Sequence, residues 1–166
     1  MMGAGKSHVG RLLAHQIGAP YFDLDLMIEH RAGRTIKEIF RLQGEGGFRE
    51  LEGEVFHEVS GARGSIISCG GGLILREGNR RILQERCFSV WLKVSEETLY
   101  QRLSDTGRPE RPLLEAGNLR KMIHQLLAER EAHYSQADLT LTTDDQTPEE
   151  IVSDLRDLIV GWEGRK

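Results

Sequence analysis

The first seven residues contain the glycine, lysine and hydroxyl groups of a loop that binds phosphate. Gly5, Lys6 and Ser7 match the end of the pattern G-x-x-x-x-G-K-[ST]. In such loops the backbone N–H groups surround the phosphates, the lysine neutralises the β and γ oxygens, and the hydroxyl binds Mg²⁺. An apolar-periodic run at 9–17 follows, and its predicted helix would point its N-terminus at the anion. The segment favours nucleotide binding over the alternative, a glycine-rich tail before an ordinary helix.

Two carboxylates follow the strand that we predict at 20–23. Asp23 and Asp25 would lie beside the phosphate loop, where one could hold Mg²⁺ through water and the other could orient a hydroxyl nucleophile. The alternative is a local structural role, because an Asp at the start of a helix commonly caps it, and Asp25 could do so. The residues alone leave both possibilities open.

Three consecutive glycines, Gly70, Gly71 and Gly72, end the next predicted strand, at 65–69. They would let the backbone approach a ligand closely and would offer it N–H donors. A flexible turn is the alternative interpretation of the same residues.

Three arginines could bind carboxylate or phosphate groups in the bidentate manner of a guanidinium. Arg49 has Glu52 one helical turn further on, which could hold its guanidinium. Arg111 lies in a loop with the length and composition of a mobile lid. Arg130 lies near the end of a predicted helix and is followed by Tyr134. A single arginine is more often a solvated surface charge, so the prediction depends on the three together.

Alternating strands and helices must position these residues. Strands are predicted at 20–23, 65–69, 88–94 and 138–142, and helices at 9–17, 24–32, 35–60 with an interruption near 44–47, 76–86, 95–104, 118–134 and from 147 onward. Strands separated by helices indicate a parallel, doubly wound sheet. Ligands of such sheets bind at the carboxyl ends of the strands, where the acids and the glycines fall.

Composition indicates one globular domain. The chain has 166 residues, of which 39% are hydrophobic and 29% charged, enough to bury a sizeable core. Its net charge of −4 gives no indication of a nucleic-acid partner or an anionic membrane surface. No apolar stretch approaches the length of a membrane span or a signal peptide core. Cys69 and Cys87 lack metal-like spacing, which favours thiols in a reducing cytoplasm.

Taken together, these segments resemble the shikimate kinases from Met1 to about the last helix. The resemblance is carried by G-A-G-K-S, F-D-L-D, G-E-G-G-F-R-E-L-E, C-G-G-G, E-R-P-L-L, E-R-E-A-H-Y and T-D-D-Q. Many nucleotide-hydrolysing proteins share the phosphate loop, whereas F-R-x-x-E, the triple glycine and R-P-L-L in combination are much more specific. The resemblance implies ATP-dependent phosphorylation of shikimate to shikimate 3-phosphate, in the pathway to chorismate and aromatic amino acids.

The resemblance also implies an α/β fold, a three-layer parallel sheet of the P-loop kinase type with strand order 2-3-1-4-5, like that of nucleoside monophosphate kinases. We expect residues 1–166 to form a single kinase domain, with an acceptor-binding region at about 24–60 and a lid at about 104–117. We expect a cytoplasmic monomer that binds ATP, Mg²⁺ and shikimate, with no nucleic-acid or membrane partner.

The same resemblance implies a role for each candidate residue. The catalytic residues would be Lys6, Asp25 as the presumed base, and Arg111. Mg²⁺ would be held by Ser7 and, through water, by Asp23. ATP would be bound by Gly3, Ala4, Gly5, Lys6, Ser7, His8, Arg102, Arg111 and Pro112, with the 143–146 loop near the adenine. Shikimate would be bound by Asp25, Arg49, Gly70, Gly71, Gly72 and Arg130, with both arginines on its carboxylate and Glu52 bracing Arg49.

Two features depart from the family pattern. His8 stands where a threonine hydroxyl usually contacts the α-phosphate, a hydrogen bond worth about 0.5–1.5 kcal/mol. Counting back from Gly5 places the first glycine of the motif before Met1, so the family's central first strand has no residues here. About four buried apolar side chains in that strand would contribute about 6–12 kcal/mol. That contribution rivals the about 5–15 kcal/mol stability of a whole domain, so we expect the natural protein to begin upstream.

Two other interpretations stay open at this point. The chain could be a related kinase for another small hydroxy acid, such as a gluconate-type enzyme, because arginines indicate a carboxylate without fixing the ring that carries it. It could also be a truncated, catalytically impaired P-loop protein that binds nucleotide weakly.

Overall fold

The computed structural model describes residues 1–105 and 119–160. The elements run in the order α1 (Lys6–Ile17), β1 (Tyr21–Asp23), α2 (Leu24–Ala32), α3 (Ile36–Val59), β2 (Ile66–Ser68), a 3₁₀ turn (Leu73–Leu75), α4 (Glu77–Arg86), β3 (Val90–Lys93), α5 (Glu96–Asp105), α6 (Leu119–Tyr134), β4 (Leu139–Thr142) and α7 (Pro148–Val160). Each strand and helix predicted within these ranges is present, and the 3₁₀ turn was not predicted. Across the same ranges, no helix is long and apolar enough to span a membrane.

The strands form two parallel pairs. They agree with the expected order 2-3-1-4-5, in which the four strands of this chain correspond to strands 2, 3, 4 and 5. β1 pairs with β2, and β3 pairs with β4. In the first pair Asp23 lies opposite Ser68, so the carboxyl ends of β1 and β2 meet at one edge. Parallel pairing brings together the residues that follow each strand, which are the predicted site residues.

The core consists of two clusters of buried side chains. The larger cluster surrounds β3 and β4 and contains side chains of α1, α5, α6 and α7, with Leu99, Ile123 and Val152 fully buried. Met1 and Met2, 4% and 7% exposed, belong to this cluster. The second cluster joins α2 to α3 through residues such as Ile28 and Phe56. It therefore supports the helix that carries Arg49 and Glu52.

Side-chain caps fix the start of several helices. Asp23 caps α2, since its Oδ1 accepts hydrogen bonds from the backbone N–H groups of Asp25, at 3.1 Å, and Leu26, at 3.4 Å. The suggestion that Asp25 could be the cap is therefore wrong, because Asp25 is already the second residue of the helix. At α7, Thr147 and Glu150 form a capping box, with the Thr147 N–H 2.8 Å from Glu150 Oε2.

The predicted interruption of the long helix is a kink at Gly44. Its φ of 68° and ψ of −174° break the helical geometry inside α3. Glycine adopts this positive φ readily because it lacks a Cβ. The kink separates the first turns of α3 from the part that carries Arg49, and both parts line the same cavity.

Candidate active site

A cavity of about 170 Å³ lies at the N-terminus of α1. It is lined by Met2, Gly3, Gly5, Lys6, Ser7, His8, Asp23, Asp25, Ser68, Cys69 and Gly70. Gly5 precedes the helix in the left-handed conformation, with φ 80°, which directs the following N–H groups toward the cavity. The Lys6 ammonium donates to the carbonyl oxygen of Met1 at 2.5 Å, so it lies over the loop. An anion here would meet the helix N-terminus and the lysine together.

Asp23 is held through both of its carboxylate oxygens. Oδ1 caps α2, and Oδ2 accepts a hydrogen bond from the Tyr21 hydroxyl at 3.2 Å. The same hydroxyl lies 3.1 Å from the carbonyl oxygen of Ser7. Burial raises the pKa of Tyr21, and the charge of Asp23 raises it further, so the hydroxyl keeps its proton at neutral pH. The sequence predictions missed this tyrosine, although its place two residues before Asp23 was visible.

The oxygen ligands in this cavity fit Mg²⁺. The Ser7 hydroxyl and the carboxylates of Asp23 and Asp25 line it beside Lys6. Mg²⁺ prefers oxygen ligands and commonly binds through one or two carboxylates plus substrate phosphates and waters. The described ranges hold no cluster of three His, Cys, Asp or Glu residues suited to a metal.

A second cavity of about 370 Å³ adjoins the first. The two share Met2, Asp25 and Gly70. The second cavity is otherwise lined by Glu29, Thr35, Ile36, Lys37, Phe40, Phe48, Arg49, Glu52, Gly71, Gly72 and Arg130. Its apolar wall, which includes Phe40 and Phe48 with ring centroids 4.7 Å apart, was not predicted. A small molecule with a carboxylate and a carbon ring matches this combination of arginines and aromatic rings.

Arg49 is held by two acids of its own helix. Its Nη1 lies 2.7 Å from Glu52 Oε2, and its Nη2 lies 3.2 Å from Glu45 Oε1. The predicted bracing of Arg49 by Glu52 is therefore confirmed. Glu52 is buried, and burial raises the pKa of its carboxyl while the charge of Arg49 lowers it. Fixing the guanidinium in advance reduces the entropy lost when it binds an anion.

The triple glycine is required by the close approach of these side chains. A Cβ on Gly70 would lie 2.8 Å from Glu52 Oε1, and one on Gly72 would lie 2.5 Å from Arg49 Nη1. A Cβ on Gly71 would lie 3.0 Å from the Tyr134 hydroxyl and 3.3 Å from the Cα of Met1. The glycines therefore bring the backbone against the cavity's charged groups, which argues against a merely flexible turn.

Arg130 is 4% exposed, and its Nε has no hydrogen-bond partner among the residues that the structure describes. Tyr134, one turn further along α6, donates its hydroxyl to the carbonyl oxygen of Gly71 at 2.6 Å. Burial raises the pKa of Tyr134, although the nearby Arg130 lowers it. A buried cation with an unsatisfied N–H group is suited to an anionic ligand. The spacing of Arg130 and Tyr134 on one helix face was the signal available for Tyr134.

The remaining predicted residues surround the phosphate loop or lie outside the description. Arg102 Nη1 is 3.4 Å from the carbonyl oxygen of Gly3, and its Nη2 is 3.4 Å from that of Thr143. Arg102 therefore joins the phosphate loop to Thr143, and its predicted place beside the adenine stays a prediction. Arg111, Pro112 and most of the predicted lid at 104–117 lie outside the described residues.

The fold and its two adjoining cavities define a P-loop kinase that acts on a small molecule. A family model described as Shikimate kinase matches residues 2–160. The chain belongs to the shikimate kinase family, and the function and fold class predicted from its sequence are confirmed.

Similar proteins agree over nearly the whole chain. The shikimate kinase of Symbiobacterium thermophilum is 38% identical over 156 residues, covering 93% of this chain and 90% of the relative. That of Cereibacter sphaeroides is 40% identical over 159 residues, covering 96% and 79%. The solved shikimate kinase of Acinetobacter baumannii in complex with shikimate superposes with a TM-score of 0.90 at 34% identity, covering 96% of this chain and 89% of that one. The enzyme from Bacteroides thetaiotaomicron gives a TM-score of 0.88 at 34% identity, with coverage of 96% and 94%.

Proposed function

We propose that this chain transfers the γ-phosphoryl group of ATP to a hydroxyl of shikimate, which forms shikimate 3-phosphate and ADP. The observation that carries the proposal is the position of Asp25, which lines both cavities. We call the first, of about 170 Å³, the phosphate cavity and the second, of about 370 Å³, the acceptor cavity. A hydroxyl held by Asp25 would face a phosphoryl group held by Lys6, which is the arrangement that direct transfer needs.

The phosphate loop would bind the nucleotide. Backbone N–H groups of Gly3, Ala4 and Gly5 would surround the phosphates, and Lys6 would leave the Met1 carbonyl to neutralise the β and γ oxygens. Ser7 and, through water, Asp23 would hold Mg²⁺, which supplies charge stabilisation to the transferring group when bound. His8 would lie at the α-phosphate.

The acceptor cavity would bind the shikimate carboxylate. Arg49 and Arg130 both line it, and the unsatisfied Nε of Arg130 supports a role in binding an anion. Gly71 would donate its N–H, and Gly70 and Gly72 would allow the close approach. The aromatic wall of Phe40 and Phe48 would cover the ring.

Asp25 would act mainly by orienting the acceptor hydroxyl. That oxygen would attack the γ-phosphorus, the bond from phosphorus to the β–γ bridging oxygen would break, and the hydroxyl proton would pass to the Asp25 carboxylate. Phosphoryl transfer depends mostly on positioning and charge stabilisation, so Lys6 and an arginine should outweigh proton removal. We propose that Arg111 is this arginine and that Arg102 and Pro112 lie beside the adenine. These roles rest on the sequence motifs that contain the residues. It also includes a monomeric state and a cytoplasmic location.

The test is shikimate-dependent release of ADP in the presence of ATP and Mg²⁺. ADP should form only when shikimate is added, and gluconate should give no increase. The matched control is Lys6→Met, which keeps the length of the side chain but removes its charge and should abolish the signal. ADP release that is independent of shikimate, or faster with gluconate, would contradict the proposed substrate.

A further inference from the structure

The Tyr21 hydroxyl lies between two groups that the proposed function assigns to Mg²⁺. It is 3.1 Å from the main-chain oxygen of Ser7, whose side chain would bind the metal, and 3.2 Å from Oδ2 of Asp23. A phenol has one proton, so the hydroxyl shares it between these two acceptors. The hydroxyl therefore connects the first turn of α1 to the carboxylate at the end of β1.

The ring of Tyr21 packs against α1. Gly10 lets α1 lie directly against the two strands, since a Cβ there would be 2.5 Å from Ser68 Oγ and 3.1 Å from Tyr21 Cε2. Ser68, 6% exposed, donates its own hydroxyl to the carbonyl oxygen of Lys6 at 3.1 Å. Hydroxyl groups on β1 and β2 thus bond the main-chain oxygens of two successive residues, Lys6 and Ser7, at the start of α1. The Tyr21 hydroxyl also bonds the Asp23 carboxylate.

We propose that Tyr21 is a positioning residue that fixes the distance between Ser7 and Asp23, and so strengthens binding of the Mg²⁺–nucleotide complex over the free nucleotide. The inference rests on the proposed function for the assignment of these two metal ligands. Tyr21 does not line either cavity, so it acts through Asp23 and the loop rather than on a substrate.

The test compares the dissociation constant of ADP with Mg²⁺ and with EDTA, measured by calorimetry on the full chain. In Tyr21→Phe the ring and its packing stay, and only the hydroxyl is lost. The improvement in ADP affinity that Mg²⁺ gives should be about three- to tenfold smaller than in the parent chain, the range expected for the net contribution of one ordinary intramolecular hydrogen bond. Affinity in EDTA should be unchanged, and the Mg²⁺ concentration for half-maximal activity should rise without a change in the KM for shikimate.

Two further variants keep the test decisive. Tyr100→Phe removes a hydroxyl from α5, outside both cavities, and should change neither constant. Asp23→Asn keeps a good helix cap but loses the charge, and adding Tyr21→Phe to it should have no further effect, because the hydroxyl acts through that carboxylate.

Several outcomes would overturn the inference. Equal loss of ADP affinity with and without Mg²⁺ would mean that the hydroxyl supports the helix and has no specific effect on the metal. No loss in either condition would mean that the hydroxyl does not contribute to nucleotide binding. If the effects of Tyr21→Phe and Asp23→Asn on ADP affinity are fully additive, the hydroxyl does not act through Asp23. If the parent chain binds ADP equally with and without Mg²⁺, the proposed metal site fails as well; if it phosphorylates shikimate but Tyr21→Phe is silent, only this inference fails.

Discussion

Glu52 and Arg49 form an ion pair in which the acid is the more deeply buried partner. Oε2 of Glu52 is 2.7 Å from Nη1 of Arg49, and the two side chains are 1% and 12% exposed. The other oxygen, Oε1, has no hydrogen-bond partner within the described ranges. Arg49 and Glu52 both line the acceptor cavity, so the guanidinium and its counter-charge lie at the same wall. Such a pair positions a cation for an anionic ligand, at the expense of burying a carboxylate.

This burial predicts the sign of a pH effect on stability. The pKa of Glu52 is raised in the folded protein from its ordinary value of 4.5. Between the unfolded and folded pKa values the native state binds the extra proton, so the free energy of unfolding should fall as pH rises through that interval. The Glu52→Gln side chain cannot ionise. Urea unfolding should therefore show that the free energy of unfolding falls less in this variant than in the parent chain when the pH is raised from 4.5 to 7.5. A parent chain that gains stability over the variant across this range would show that Arg49 lowers the pKa overall.

The bidentate geometry of Arg49 predicts a specific loss of acceptor binding. Arg49→Lys keeps the charge but removes the planar fork, and lost hydrogen bonds to a charged group are worth about 1.5–3 kcal/mol each. We expect the KM for shikimate to rise at least tenfold while the KM for ATP stays the same. Arg81→Lys, at an exposed ion pair with Glu77 on α4, is the matched control and should leave both constants unchanged. Equal effects on the two KM values would show that Arg49 supports the fold rather than the carboxylate.

The glycines give a third prediction. Gly72→Ala places a methyl group 2.5 Å from Arg49 Nη1, so the guanidinium must move away from Glu52. We expect shikimate binding to weaken at least tenfold, measured by calorimetry. Gly78→Ala is the control, because a Cβ there meets nothing within 4 Å, and an alanine inside α4 should stabilise the helix by up to about 1 kcal/mol. Unchanged shikimate binding in Gly72→Ala would mean that Arg49 does not need its observed position.

The sequence predicted the elements well because their signals are local. Strand and helix periodicity and the glycine break at Gly44 depend only on neighbouring residues. The predicted pairing of Arg49 with Glu52 was likewise a matter of helical spacing. The choice between Asp23 and Asp25 as the cap was harder, because aspartate is a good cap at either position. The two choices place the start of α2 two residues apart.

Long-range contacts were beyond the sequence. Tyr134 bonds to Gly71, 63 positions away, and Ser68 bonds to Lys6, 62 positions away. No local pattern identifies such partners, since tyrosine and serine are common and each could equally face solvent. The aromatic wall of the acceptor cavity was missed for a similar reason: Phe40 and Phe48 have the spacing of ordinary core residues, yet both line the cavity from opposite sides of the kink at Gly44.

Asp25 gives the sharpest test of the proposed chemistry. Because Asp23 and not Asp25 caps α2, Asp25→Asn should leave the helix intact, and its similar size should leave the packing unchanged. In the proposed function, loss of the carboxylate would remove both the proton acceptor and a hydrogen bond to the acceptor hydroxyl. We expect kcat to fall by about 10²–10⁴-fold while the dissociation constant for ATP changes by less than about twofold.

The control for this variant is Asp157→Asn, on the exposed face of α7, which should keep full activity. Calorimetry with ATP separates the two ways in which Asp25→Asn could fail. Lost turnover with ATP affinity preserved would support the orienting role at the boundary of the two cavities. A parallel loss of ATP affinity would instead place Asp25 among the groups that hold the nucleotide and its metal, and the acceptor hydroxyl would then need another partner in the 370 Å³ cavity.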